Sequence, residues 1–281
     1  MKKPLILLFS IIALTTLLPL AGNAQGGKKK DEVEVKCPSG IDHGAWDKLL
    51  KKYVDEKGLV NYTALKASQA DMSAFDGYLK QFAAKADKPA EGMELAAALT
   101  NAYNAIAVRT VLQSYPMESI HEAKKPFEAK DWTIGGAKVS LNDIENATLR
   151  PLLKYRAHSV LVCAARSCPP LQRTAYAAES FEAQSDKAYT VWLAREDLNK
   201  FMPGEKKAEI SEVFKWFKAD FEKSLSVPKV IAQYGPPAAK ELTEDGKQFE
   251  TSYLSYNWGL NDQGEHGRSY SKINLIFDNL D

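Results

Sequence analysis

Between residues 91 and 114 the side chains Leu95, Leu99, Ala102, Tyr103, Ile106 and Leu112 recur at the spacing of one helix face, and Pro89 just ahead suits a helix start. A helix of that length is marginal alone, so other elements must cover its apolar stripe. Two candidates precede it: Trp46, Leu49, Leu50, Tyr53 and Val54 share one helical period, and Met72, Phe75, Tyr78, Leu79 and Phe82 share another. Between them, Leu59 to Tyr62 reads as a short strand. After the long helix the period shortens. Trp132-Thr133-Ile134 and Ala137-Lys138-Val139 flank Gly135-Gly136, which predicts a two-residue hairpin turn. Ser140 with Asp143 three positions on reads as a capping box opening a helix that carries Ile144, Glu145, Leu149 and Arg150. The run from His158 to Cys163, with two valines, reads as an inner strand ending in a loop over 164–170. More helices are expected over about 180–195, 211–221 and 228–234, and a last strand or turn over 253–261. Long helices with few strands in irregular alternation predict an α+β fold, a helix-rich single domain with a small β-sheet.

The amino terminus sets the boundaries. Lys2 and Lys3 precede an apolar run from Leu5 to Leu20 and the small residues Ala21, Gly22 and Ala24, the pattern of a cleavable export signal over 1–24. The run is short for a membrane span of about 20 residues, so no stable insertion is expected after cleavage. Export to the periplasm or the extracellular space follows. Residues 25–36, with Lys28, Lys29 and Lys30 ahead of Asp31 and Glu32, have little to bury and read as a flexible tether before a domain over 37–281. Two lysines leave with the signal, so 37 basic groups become 35 against 36 acidic ones, a net charge near −1. That balance does not call for nucleic acid as a partner.

Reactive side chains concentrate in one stretch. Glu145, His158, Cys163 and Cys168 fall within 24 positions of a chain that holds three cysteines and four histidines. On a regular strand His158 and Cys163 would point to opposite faces, whereas Cys168 lies in the following loop and can fold back toward the imidazole. Cys168 is thus the candidate nucleophile and His158 the base that would lower its pKa, with Glu145 fixing the imidazole tautomer. Pro169 suits the first turn of a helix that Cys168 would cap, but Pro169 and Pro170 together remove two backbone donors from the loop. The alternative is structural. In an oxidising compartment Cys163 and Cys168 can close a disulfide, Cys37 then being the odd cysteine, or Cys37 can pair with Cys163 and leave Cys168 free. The cysteine and histidine spacings are not those of a zinc site, so no metal is expected. Asn101 and Asn104 lie nearly on one face of the long helix, where buried amides would tie down loops or hold a substrate backbone. Tyr256 and Trp258 are candidates for a pocket wall.

Asn101-Ala102-Tyr103-Asn104-Ala105, the helix from Ser140 to Arg150, the stretch from Arg156 through Cys163 to Ser167-Cys168-Pro169-Pro170-Leu171, and Tyr256-Asn257-Trp258 with Leu260-Asn261 together resemble the domain of unknown function 547 family of bacteria and plants. The resemblance spans about Trp46 to Asn261. It implies a distant likeness to papain- and transglutaminase-type cysteine enzymes, hence a cysteine-peptidase-like arrangement with Cys168, His158 and Glu145 as the active set. Asn146 and Asn257 depart from the family pattern, which more often has His and Asp at those positions. Two functions remain open on this basis. One is an exported cysteine-dependent hydrolase or acyl transferase acting on an amide bond in a peptide or other envelope substrate, which needs no cofactor. The other is a non-catalytic envelope binding or scaffold protein with a Cys163–Cys168 disulfide.

Overall fold

The long helix α4 spans Gly92–Ser114 and is buried on nearly every face rather than along one stripe. Ala96, Ala97, Ala98, Ala102, Ala105 and Ala107 are all buried, so neighbouring elements approach its backbone from several sides. It ends one residue before Tyr115, which is extended ahead of Pro116 as a residue preceding proline prefers. The computed structural model describes residues 32–246, 248–268 and 270. The expected export signal, and residues 25–31 of the expected tether, lie outside the described residues. Among those described, no helix is long and apolar enough to cross a membrane.

Among the described residues three helices precede α4: α1 (Gly44–Tyr53), α2 (Tyr62–Ala67) and α3 (Gln69–Gln81). Trp46 of α1 stacks on Phe75 and Tyr78 of α3 with ring centres 5.3 and 6.1 Å apart. The short strand expected over 59–62 is not formed. Asn61 caps α2 by accepting the Ala64 N–H at 2.9 Å, so Tyr62 opens a helix, and Val60 keeps only isolated bridges to Val54 and Asp262. The hairpin is formed as expected, β1 (Trp132–Ile134) against β2 (Ala137–Val139), with Trp132 opposite Val139. Gly135 and Gly136 have φ of +63° and +81°, and a side chain on Gly135 would overlap the Lys36 carbonyl.

That close approach comes from the amino-terminal segment, which lies against the hairpin at Lys36. The described end of the expected tether is docked, not loose: Val33 N–H donates to Asp143 Oδ1 at 2.7 Å, Val35 N–H donates to Thr148 Oγ1 at 2.9 Å, and Val35 and Cys37 are buried. Charged side chains at 34 and 36 hide this from a compositional reading, because alternation sends only Val35 inward.

Past β2 come a π-helical turn (Asp143–Leu149), α5 (Arg150–Leu153), α6 (Ala157–Val160) and α7 (Phe181–Leu193). The remaining elements are β3 (Lys200–Met202), β4 (Lys207–Ser211), α8 (Val213–Trp216), α9 (Lys218–Glu222), α10 (Val227–Tyr234), α11 (Pro237–Thr243) and β5 (Glu250–Leu254). β3 and β5 flank β4, the first antiparallel and the second parallel with Ile210 opposite Tyr253. Trp192 of α7 stacks on Phe214 of α8 at 4.8 Å, and Phe221 of α9 packs on Phe214 at 5.1 Å. The fold is therefore α+β and helix-rich, with two small sheets among the described residues. This second aromatic core fixes α8 and α9 opposite α6.

Candidate functional site

The site starts at the capping box. Asp143 Oδ2 accepts the Ser140 N–H at 2.8 Å and the Ser140 hydroxyl at 2.7 Å, while the Asp143 N–H returns to Ser140 Oγ at 3.1 Å. Burial alone would raise the Asp143 carboxyl; the hydrogen bonds from Val33 and Ser140, with the Lys130 ammonium, hold it below its usual range. The chain then winds as a π-turn, Arg150 N–H donating five residues back to the Glu145 carbonyl. Such turns recur at functional sites because they re-aim side chains. Glu145 points toward α4, where Tyr103 O–H donates to its Oε2 at 2.8 Å, and burial pushes its pKa up.

His158 sits on helix α6, not on a strand. β-branched Val160 and Val162 favoured the strand reading, but the backbone bonds that a strand neighbour would supply come from one side chain. Asn104 Nδ2 donates to the Val160 carbonyl at 2.9 Å, and Asn104 Oδ1 accepts the Val162 N–H at 2.9 Å. That amide closes the helical turn and starts an extended segment running to Cys163. Asn101 does the same for Tyr176, accepting its N–H at 2.9 Å and donating to its carbonyl at 2.8 Å. Both amides, read from the sequence as loop ties or substrate contacts, bond backbone at both ends and lie outside the cleft lining.

The acid on His158 is Asp220 and not Glu145. His158 Nε2 lies 3.0 Å from Asp220 Oδ2, which also accepts Arg150 Nε–H at 2.8 Å. The imidazole stacks on Phe217 with centres 4.2 Å apart and packs against Phe221 at 5.3 Å. Burial favours the neutral imidazole and lowers its pKa, the Asp220 bond offsetting part of that. For Asp220, burial would raise the carboxyl, but the bonds from His158 and Arg150 prevail and bring it to about 2.

Cys163 and Cys168 are joined by a disulfide, and Cys37 is free and buried. The loop between them turns through Ala164 at φ +61°, a conformation costly for a residue with a Cβ, and its Arg166 N–H is held by the Gly259 carbonyl at 2.8 Å. Cys168 is 4% exposed and Cys163 is half-buried. Tyr256 O–H lies 3.1 Å from Cys168 Sγ and 3.3 Å from Cys163 Sγ, and the Cys163 N–H points at Cys168 Sγ from 3.1 Å. Burial pushes the Tyr256 hydroxyl far above its ordinary pKa, so it stays a donor.

These groups border one cleft of about 340 Å³. Of the residues singled out by sequence, Glu145, His158, Cys163, Cys168, Tyr256 and Trp258 line it. Tyr103, Trp216 and Phe217 also line it and were not anticipated as site residues. Trp216 and Phe217 had read as part of an ordinary amphipathic helix, and nothing in their spacing set them apart. Trp216, Tyr256 and Trp258 form a continuous aromatic wall, with Tyr256 centred 4.7 Å from each tryptophan. Asn146 turns away to Glu32 and Arg150, and Asn257 caps its own turn by accepting the Gly259 N–H at 2.8 Å. Among the described residues no group of three or more histidine, cysteine or acidic side chains is placed to hold a metal ion.

Residues 91–193 match the family model described as Protein of unknown function, DUF547. The matched region runs from α4 to the end of α7 and contains Glu145, His158, Cys163 and Cys168, with Tyr256 and Trp258 outside it. The resemblance read from the sequence is thus shown over that region. No curated protein and no solved structure matches the chain.

Proposed function

From a chain that carries a DUF547 region, we propose an exported binding protein whose cleft takes an amide-containing ligand with an apolar or aromatic side chain and does not cleave it. The disulfide carries this reading. A nucleophilic thiol is absent while Cys168 is bonded to Cys163. The other members of the expected catalytic set are also engaged, His158 with Asp220 and Glu145 with Tyr103. What the cleft offers instead is an aromatic wall and a few polar groups, the usual make-up of a small-molecule site. Glu145, pushed toward its neutral form, and the Asn142 amide can pair with an amide group, while Trp216 and Trp258 take the side chain. Export rests on the signal-like residues 1–24.

The test is ligand-observed NMR titration with N-acetyl-phenylalaninamide. About 15 non-hydrogen atoms at about 0.3 kcal/mol each give a Kd of about 1 mM. Trp258→Ala should weaken binding about tenfold. Absence of saturable binding up to tens of millimolar (roughly ten times that Kd), or equal binding by Trp258→Ala, overturns the reading.

A second reading is favoured by one observation: Glu145, His158 and Cys168 border the same cleft. In the reduced chain Cys168 would attack an amide or acyl carbonyl, His158 would take and return the proton, and Asp220 would have the orienting role the sequence assigned to Glu145. Hydrolysis of N-acetyl-phenylalanine esters by the reduced protein, abolished by Cys168→Ala, would replace the first reading with this one. No activity in the reduced protein leaves the binding reading standing.

A further inference from the structure

We propose that Cys163–Cys168 is an exchange-active disulfide that accepts two electrons from a thiol entering the cleft, with Cys163 as the sulfur attacked and Cys168 as the sulfur that leaves. The two cysteines are unequally placed. Both line the cleft, but Cys163 is half-buried whereas Cys168 is 4% exposed. The donors are unequal as well. Cys168 Sγ has the Cys163 N–H and the Tyr256 O–H, each at 3.1 Å, while among the described residues Cys163 Sγ has the Tyr256 hydroxyl alone, at 3.3 Å. A disulfide sulfur carries little charge, so these donors gain most when the bond breaks and Cys168 becomes a thiolate. Exchange is faster when the leaving thiolate is better stabilised, and it occurs at the sulfur a nucleophile can reach.

Tyr256 is fixed in that role. Its ring packs against both Trp216 and Trp258, which stack on each other at 5.9 Å, and its N–H donates to Glu212 Oε2 at 3.1 Å. The hydroxyl therefore needs no reorganisation as charge moves onto Cys168.

A substrate thiolate attacks Cys163 Sγ, forming a mixed disulfide and breaking the bond to Cys168, whose sulfur leaves with the electron pair. The second thiolate of a dithiol substrate, or the thiolate of a second molecule of a monothiol substrate, then attacks the substrate sulfur in the mixed disulfide. That closes the substrate disulfide and releases Cys163, and the two protein sulfurs take up two protons. The substrate loses two electrons and the protein gains them. The class of substrate is a small thiol, or a cysteine side chain small enough in its surroundings for a cleft of about 340 Å³. This exchange is independent of whether the cleft binds amides.

The experiment uses the full mature chain, N-acetyl-cysteinamide as monothiol probe, acid quench, alkylation and peptide mass mapping. The expected product carries the probe on Cys163 and the alkyl group on Cys168. Tyr256→Phe should slow its formation roughly tenfold, as loss of a hydrogen bond to a charged sulfur would. A probe on Cys168, an even split between the sulfurs, no adduct, or an unchanged rate in Tyr256→Phe each overturns the proposal. If Tyr256→Phe does not fold, the position of the adduct in the wild-type chain decides alone. A blocked tripeptide with cysteine between two phenylalanines separates the sources. Faster reaction than the free probe assigns a peptide cysteine, and equal or slower reaction assigns a free small thiol, each with the adduct on Cys163.

Discussion

Asn104→Ala tests how the cleft is built. Asn104 is 2% exposed and makes two backbone hydrogen bonds of 2.9 Å, one to the Val160 carbonyl and one from the Val162 N–H. Val160 and Val162 are themselves buried, so no bulk water replaces the amide. Each buried backbone group left unpaired costs about 1–3 kcal/mol, and alanine returns roughly 0.5 kcal/mol of helix propensity. The expected loss is about 3 kcal/mol. Urea unfolding at pH 7, followed by tryptophan fluorescence, measures it as a shift in midpoint at unchanged slope. Hydrogen exchange adds a local readout, because the Val162 amide should lose protection well beyond the global change. Asn104→Asp keeps the acceptor for Val162 but sets a carboxylate oxygen against the Val160 carbonyl in a buried site, so at pH 7 it should cost no less than Asn104→Ala. A loss under about 1 kcal/mol for Asn104→Ala, or Val162 protection that falls only in step with global stability, would refute the claim that this amide stands in for a strand neighbour.

Two further outcomes follow from the same geometry. Asp220 is held at about 2 in the folded chain, nearly two units below an unfolded aspartate, which contributes about 2 kcal/mol at neutral pH. Both it and His158 have folded pKa values below their unfolded ones, so stability from His158 declines as pH drops below about 6.5, and about half of the Asp220 contribution is gone by pH 3. The double variant His158→Gln/Asp220→Asn titrates at neither site. Its deficit in urea unfolding should shrink steadily from pH 7 to pH 3, and a constant deficit contradicts the assignment. Gly58 has φ +77°, and a Cβ there would lie 2.5 Å from the Leu171 nitrogen and 2.6 Å from Pro170 Cα. Gly58→Ala should lower stability by about 2 kcal/mol or more and displace the proline pair after Cys168, while a variant as stable as wild type would mean that the two loops do not touch.

Local signals were legible in the sequence wherever the deciding partner lies a few residues away. The Ser140–Asp143 capping box, the Gly135-Gly136 hairpin, the stripes of α1 and α3 and the extent of α4 are of this kind. The clustering of Glu145, His158, Cys163 and Cys168 carried over to the cleft because a helix turn, a helix and a loop that follow closely in the chain stay together in space. The failures were decided at long range. Asp220 pairs with His158 across 62 positions, and no local pattern distinguishes it from any solvent-facing aspartate on α9. Asn104 overrides the β-branched run after His158 across 56 positions. Val35 reaches Thr148 across 113 positions, which a charged amino-terminal stretch conceals.

Counting free thiols tests the central claim most directly. Cys37 is fully buried and its pKa is pushed up to about 12, chiefly by burial, so the native chain should take up almost no alkylator. Unfolded in denaturant without reductant, the mature protein should gain one alkyl group, on Cys37, because Cys163 and Cys168 are bonded to each other. Intact mass and peptide mapping read this at once. Alkylation of all three cysteines before any reductant is added would contradict the account, removing both the closed cleft and the exchange proposed for it.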